Sequence, residues 1–420
     1  MLSPRRWLLL AALLCLTGCG ADQTDVPGQD ATVDLTSAED HAVVDLPRAD
    51  AAIPDAPVPD APGGPRPVWL LHLTDVHIGA QPFAVDALTT MVQQVEDAVE
   101  PTATLNTGDV TDTGTTTEWT TYRGVIQGQI LPFPLHLEVI GNHDVKTEDG
   151  KGFLVSSQTG KAGAGLHGLS YIDTPQGRIR VVRTNTVDSS VATNQLLGFI
   201  GETQVKSLEA LPPSPIAPAY TVVAGHHPLV GIQSLQILGT DKRMRELLDH
   251  FSASVYLCGH AHFKMLSWAK DTLVVQGPTL GKPELVTPNP GFAVVALDTT
   301  GPAARVYGLT KSSPATVSWP LVLITTPADA DLGGTNPHAK PLAPGGSLDV
   351  RALAFDPGMV QVVEARIDSD AWVAMAAAGR PLWQLTLTAP TAAGKHKLEV
   401  RVLGSVNTGT DAVSFTVASP

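Results

Sequence analysis

The chain is 420 residues long and acidic, with 41 Asp and Glu against 27 Lys and Arg and a net charge of −14. That balance argues against an electrostatic nucleic-acid surface, which needs a basic stripe. Three cysteines cannot build a disulfide framework, so the fold must rest on an apolar core drawn from the 43% of hydrophobic residues.

Arg5 and Arg6 precede an apolar stretch, Trp7 to Leu16, too short to span a bilayer as a helix. It closes with Leu16-Thr17-Gly18-Cys19, which resembles a bacterial lipoprotein signal. The resemblance implies that residues 1–18 are removed and that Cys19 carries lipid, giving an exported protein anchored to a membrane. Gly20 after the cysteine, rather than Asp, favours an outer membrane or the cell surface. The alternatives are an ordinary secretory signal with an incidental cysteine, or a twin-arginine signal built on Arg5-Arg6. Residues 19–67 change character. From Gly20 to Pro67 there are ten acidic residues against two arginines, so this stretch holds eight of the fourteen net negative charges. It also has eight prolines and no aromatic residue. Little apolar surface is available to offset chain entropy, so a disordered, extended tether is expected. With Cys15 in the signal and Cys19 acylated, Cys258 is alone in the mature chain, ending an apolar strand where a small buried thiol fits.

From Val68 the pattern becomes that of an α/β domain. Five segments set metal-binding side chains just beyond an apolar, β-branched run: Leu70–His77, Leu105–Asp109, Leu137–Asp144, Thr221–His227 and Val255–His262. Such runs, ending in a glycine or a turn, read as buried strands. Ligands of open α/β sheets sit beyond the carboxyl ends of the strands. Five ends bearing Asp, Asn or His therefore predict one convergent polar site. Between them, Phe83–Val99 spaces Leu88, Val92, Val95 and Val99 at helical intervals, with Gln93, Gln94, Glu96 and Asp97 opposite. Thr203–Leu211 and Asp241–His250 also suit helices, while Arg178–Thr184, Thr272–Gln276 and Phe292–Asp298 suit strands. The stretch 68–309, about 240 residues, fits one domain.

These residues resemble the calcineurin-like metallophosphoesterase superfamily, whose blocks run D-x-H, G-D, G-N-H-[DE], a lone histidine after a strand, and G-H-x-H. Here they stand as Asp75-Val76-His77, Gly108-Asp109, Gly141-Asn142-His143-Asp144, Gly225-His226 and Gly259-His260-Ala261-His262. One D-x-H recurs by chance; all five blocks in order do not. The resemblance implies a metallophosphoesterase-type sheet sandwich flanked by helices, with a dinuclear metal centre. Asp75, His77 and His262 would hold one metal, Asn142, His226 and His260 the other, and Asp109 would bridge both. Two such ions, roughly 3.5–4 Å apart, can share a hydroxide and clamp phosphate oxygens during in-line displacement. A mixed Asp, Asn and His shell suits divalent or trivalent Mn, Fe, Zn or Ni better than an all-oxygen calcium site. His143 would be catalytic, stabilising charge or protonating the leaving oxygen, and Asp144 would orient its ring. No ligand is missing, as one would be in a decayed relative.

Neighbouring residues read differently. His72 lies inside the first strand and belongs to the core, whereas His227 supports His226 or faces substrate. Asp112 reads as a cap of the following turn or helix. Lys146–Gly177, rich in Gly, Ser and Thr, reads as a long rim loop offering Lys146, Lys151 and Lys161 to an anion. Thr113–Thr121 and Leu229–Lys242 would form other walls. Aromatic residues are sparse there, so base stacking is not expected. Glu118–Tyr122, Leu197–Ile200, Val255–His262 and Trp319–Thr325 resemble the branch of transmembrane protein 62, which implies a phosphoesterase joined to an immunoglobulin-like domain. No later stretch is long and apolar enough for a membrane helix, so lipid would supply the attachment.

Residues 318–420 alternate as short strands separated by Gly, Pro and Asp. Leu321–Ile324, Leu348–Phe355, Val360–Ile367, Trp372–Met375, Leu382–Leu387, Leu398–Val402 and Val413–Val417 give about seven, suiting an immunoglobulin-like β-sandwich without its disulfide. Trp372 and Trp383 are expected in its core. The whole predicts an exported phosphoric ester hydrolase, a phosphodiesterase or phosphomonoesterase, with a slight lean to diesters. Its partners would be a phosphate-ester substrate and a membrane; nucleic acid is not expected, and a nuclease is disfavoured. The rival of another class is a cell-surface binding protein that keeps its metals and presents the sandwich to a protein or glycan.

Overall fold

The computed structural model describes residues 65–127, 135–147, 150–187, 198–211, 216–229, 240–283, 289–404 and 406–419. The signal segment, Cys19, nearly all of the tether and most of Leu229–Lys242 lie outside them. In chain order the first elements are β1 (Val68–Leu73), α1 (Pro82–Thr90), a π-turn (Met91–Val95) continuing into α2 (Glu96–Val99), β2 (Ala103–Asn106) and α3 (Thr116–Ile126). Then come β3 (His136–Glu138), a 3-10 turn (His143–Val145), α4 (Lys151–Ser156), α5 (Gln158–Lys161), β4 (Gly168–Thr174), β5 (Gly177–Arg183) and α6 (Glu202–Glu209). β6 (Pro218–Ala224), α7 (Thr240–His250), β7 (Val255–Cys258), β8 (Met265–Ala269), β9 (Thr272–Gln276), β10 (Gly291–Asp298) and β11 (Gly301–Gly308) complete the α/β part.

Two sheets face each other. One has the order β11-β10-β1-β2-β3, with β1, β2 and β3 parallel; the other has the order β4-β5-β6-β7-β9-β8, with β5, β6, β7 and β9 parallel. Val68 and Leu70 of β1 pack inward against Val181, Val222 and Leu257 of the opposite sheet, while Leu71 and Leu73 face α1–α3. A strand buried on both faces reads as a continuous apolar run, which is why these strands were legible. Val223, Tyr256 and Cys258 likewise face α6 and α7 through Leu208, Leu247 and Leu248. The result is helix, sheet, sheet, helix, the fold class that the motifs imply.

The differences lie at the edges. Lys146–Gly177 is not one long loop: it carries α4, α5 and the start of the β4–β5 hairpin. Sequence patterning assigns no strand to β4, β8 or β11, all of them edge strands with partly exposed faces, so their apolar signal is diluted. Thr113–Thr121 is no open wall either. Thr115 and Glu118 form a capping box that starts α3, whose Trp119 and Tyr122 are fully buried.

The C-terminal region is a sandwich of two four-stranded antiparallel sheets. β12 (Leu321–Thr326), β13 (Ser347–Phe355), β14 (Val362–Ile367), β15 (Val373–Ala374), β16 (Ala376–Ala377), β17 (Leu382–Thr388), β18 (Gly394–Leu403) and β19 (Thr408–Val417) pair in the orders β12-β13-β17-β16 and β15-β14-β18-β19. Val350 and Ala352 of one sheet meet Val363, Val400 and Phe415 of the other. The single strand expected at Trp372–Met375 instead crosses between sheets, as β15 and β16 around buried Met375. Trp383 packs against the core, but Trp372 lies outside it, half-buried over the Arg366 and Arg401 guanidinium groups at 4.4 and 4.3 Å. All described residues fall within one compact unit, Val44–Pro420.

Candidate metal centre

Beyond the carboxyl ends of β1 and β2 the chain keeps pairing: the amides of Asp75 and His77 donate to the carbonyls of Gly108 and Asp109, both at 2.9 Å. On the other sheet the Gly259 amide donates to the His226 carbonyl at 2.8 Å. These contacts, with the His143 amide donating to Asp109 Oδ1 at 2.8 Å and the His260 amide to Asp75 Oδ2 at 3.0 Å, bring five strand ends to one place. They also force unusual backbone: Asp75, His77, Asp109, His260 and His262 all have positive φ, between 49° and 71°. Non-glycine residues there cost on the order of 1–3 kcal/mol each and persist where the surroundings over-determine them, commonly at functional sites. Two motif glycines are required by contact. A Cβ at Gly141 would collide with the Asp109 amide and carboxylate, and one at Gly259 with the Thr74 hydroxyl and Asp75 carboxylate.

The side chains converge as the motifs suggest, all seven expected ligands among them. Asp109 Oδ1 accepts from the His143 amide at 2.8 Å, leaving Oδ2 facing Nε2 of His226, His77 and His143 at 3.3, 3.7 and 4.0 Å. On one side, Asp75 Oδ1 lies 3.4 Å from His262 Nε2, which is 2.9 Å from His77 Nε2. On the other, Asn142 Oδ1 lies 3.0 Å from both His226 Nε2 and His260 Nδ1. Asp75, His77 and His262 form one group whose ligand atoms lie within 4.8 Å; Asp75, Asp109 and His226 form another; His227 joins His226 and His260 in a third.

Tautomers follow from the second nitrogens. His77 Nδ1 donates to Asp112 Oδ1 at 3.0 Å and His226 Nδ1 to the Thr107 carbonyl at 2.9 Å. Their Nε2 lone pairs therefore point at the carboxylates and at the Asn142 oxygen. Electron pairs facing electron pairs in a buried site are stable only around a proton or a cation. Burial holds His77 and His260 down to about 4, favouring the neutral, ligating form. Burial opposes protonation of His226 too, but the charge and hydrogen bond of Asp109, with the charge of Asp75, raise it to about 9. Asp75 is buried, which favours its acid form, yet its bond to His262 and nearby imidazoles keep it below the usual carboxylate range. The donor set thus fits cations, and its mixed N and O character fits borderline transition metals.

Two expectations change. Asp144 does not orient the His143 ring: its buried carboxylate accepts from the amides of Gly141 and Thr111, both at 2.9 Å, and from the Thr111 hydroxyl at 2.8 Å. It staples the β3 loop to the β2 loop, and burial with the nearby Asp109 charge raises it to about 6. Asp112 takes the orienting place. It caps no helix; its carbonyl accepts from His143 Nδ1 at 2.7 Å and its carboxylate holds His77. Burial favours its acid form, but the His143, His77 and Lys282 contacts keep it well below the usual range. The G-D-x-x-D spacing was the signal for Asp112, whereas nothing in the sequence pointed to Lys282, which donates to Asp112 Oδ1 at 2.9 Å. His72 is a core residue, with Nε2 2.9 Å from the Thr107 hydroxyl, and His227 lies against His260 with ring centroids 4.4 Å apart.

Fold and site together define a metallophosphoesterase-type domain. Residues 68–264, a little under half of the chain, match the calcineurin-like phosphoesterase family. Among solved structures the chain is similar to GAP50, the anchor in the inner membrane complex of Plasmodium, at 11% identity and a TM-score of 0.38, covering 60% of this chain and 87% of that one. It is similar to the phosphopantetheinyl hydrolase of Mycobacterium tuberculosis at 14% identity and 0.32, covering 50% and 89%. It is also similar to Vps29 of Chaetomium thermophilum at 13% and 0.30, covering 60% and 90%. No curated protein matches the chain.

Proposed function

We propose that the protein is a hydrolase of phosphoric esters working through a dinuclear metal centre. The carrying observation is Asp109 Oδ2, placed between the Asp75, His77, His262 group and the Asn142, His226, His260 group, so that one carboxylate serves both. Bound metals supply Lewis acidity and a nucleophile at neutral pH. The chain's own residues do the rest. Asp109 offsets charge between the two groups, and Asp75 fixes the second loop by accepting from the His260 amide at 3.0 Å. His143, with Nδ1 committed to the Asp112 carbonyl, presents Nε2 to the cleft, where it can stabilise the phosphate or pass a proton to the leaving oxygen. The test uses the full chain, stripped and reloaded with Mn, Zn, Fe or Ni, against aryl phosphate mono- and diesters. Metal-restored turnover that falls at least about a thousandfold in Asp109→Ala, as for a group essential to transition-state charge, is expected. Metal-loaded protein inert toward both esters would sink the proposal.

We further propose that the enzyme is exported and held by lipid on Cys19, at an outer membrane or the cell surface. The apolar segment ending in Leu16-Thr17-Gly18-Cys19 and the acidic, proline-rich tether support this. A Cys19→Ser chain that stays membrane-bound in cell fractionation would refute it. The sandwich supports an immunoglobulin-like reading like that of the transmembrane protein 62 branch, with packing against the catalytic domain as its role.

A further inference from the structure

Two lysines beside His143 bear on which phosphate ester fits. Lys146 ends the 3-10 turn, its amide bonded to the His143 carbonyl at 3.3 Å, and the Thr147 hydroxyl ties the same segment to the Thr113 carbonyl at 2.6 Å. That tether places Lys146 Nζ 2.7 Å from His143 Nδ1 and 3.1 Å from Nε2. The ammonium thus touches both ring nitrogens of His143, while Nδ1 stays committed to the Asp112 carbonyl. Lys282 approaches from the loop after β9 and pairs with Asp112 at 2.9 Å, its side chain 26% exposed. Its charge offsets the carboxylate that positions the His77 ring, so Asp112 does not repel an arriving anion.

We propose that Lys146, backed by Lys282, makes this centre selective for dianionic phosphate monoesters over diesters, against the slight lean to diesters taken from the motifs. The inference rests on the phosphoesterase reading above and names its substrate class. A phosphate monoester carries close to two negative charges at pH 7 and three terminal oxygens. A diester carries one charge and a second ester group in place of an oxygen. Any phosphate beside His143 Nε2 lies within reach of Lys146 Nζ. The ammonium there is a strongly hydrated point charge, and it is repaid for lost hydration by an anionic oxygen but not by an ester group. The same position that attracts the monoester therefore disfavours the diester.

The experiment measures kcat/KM for 4-nitrophenyl phosphate and bis(4-nitrophenyl) phosphate with the metal-loaded full chain. The wild type should prefer the monoester. Lys146→Met should lower the monoester value about tenfold, the scale of a charge-assisted hydrogen bond, and the diester value less than about twofold. Lys146→Arg, which keeps the charge, should retain the preference, and Lys282→Met should reduce it. Metal content of each variant is measured alongside, since a structural lesion would lower it and would lower both esters together. A wild type that prefers the diester, or a Lys146→Met chain that loses both activities equally, overturns the inference while leaving the phosphoesterase reading intact. A wild type inert toward both esters overturns the reading and the inference with it.

Discussion

Asp112 shows how much of the centre is set by one side chain outside the expected ligand list. Its carboxylate fixes the His77 tautomer, its carbonyl fixes that of His143, and Lys282 holds it in place. Partners of ligating histidines are commonly worth 10–100-fold in metal affinity. Asp112→Ala should therefore weaken metal binding by about that factor, read by titration of the stripped protein with manganese or zinc. Unchanged affinity would mean that His77 needs no such support. The left-handed residues make a related point. Asp75, His77, Asp109, His260 and His262 carry backbone strain precisely where the motif blocks sit, so the short glycine-bearing motifs encode conformation as well as ligands.

Between elements, a buried polar network joins α2, β2, β3, α3 and α5 away from the metal ligands. His136 Nδ1 lies 3.8 Å from Glu96 Oε1 and Nε2 the same distance from Glu138 Oε1, while Glu138 accepts from the Gln158 and Thr159 amides at 2.9 Å. Burial disfavours the charged imidazole, but the two carboxylates outweigh it and raise its pKa. The folded state thus holds the proton more tightly than the unfolded chain, whose histidine titrates near 6.5. This contribution to stability is complete below about pH 6.5 and is lost as pH rises through the folded-state pKa. Denaturant midpoints measured across that range should fall more steeply with pH in the wild type than in His136→Gln. Parallel curves would show that His136 is neutral in the fold.

At the scale of the molecule, the sandwich and the α/β part share a core. Leu321, Leu323, Leu353, Phe355 and Leu382 belong to the same apolar cluster as Leu71, Leu88 and Trp119. Arg351 bonds buried Asp298 at 2.7 Å and also donates to the Pro65 carbonyl, and Tyr307 donates to the Val322 carbonyl at 2.7 Å. Such a junction should melt as one unit, so calorimetry is expected to show a single transition. Removing one partner of a buried pair leaves the other charge stranded, at about 3–5 kcal/mol. Arg351→Ala should lower the whole transition rather than split it; two separate transitions would mean independent domains.

The sequence by itself determined the buried strands, the ligand types at their ends and the β-rich C-terminal region. Buried parallel strands are apolar on both faces, and glycine-flanked Asp, Asn and His blocks are local patterns, so both survive in one dimension. Only the tertiary structure decided the edge strands β4, β8 and β11, the role of Asp112 rather than Asp144 behind the histidines, the place of Trp372 outside the core, and the meeting of Lys282 with Asp112, 170 residues apart. The physical reason is common to all four. Half-exposed strands carry a weak apolar signal, and which side chain meets which imidazole depends on how separate loops are brought together, a property of packing and not of spacing along the chain.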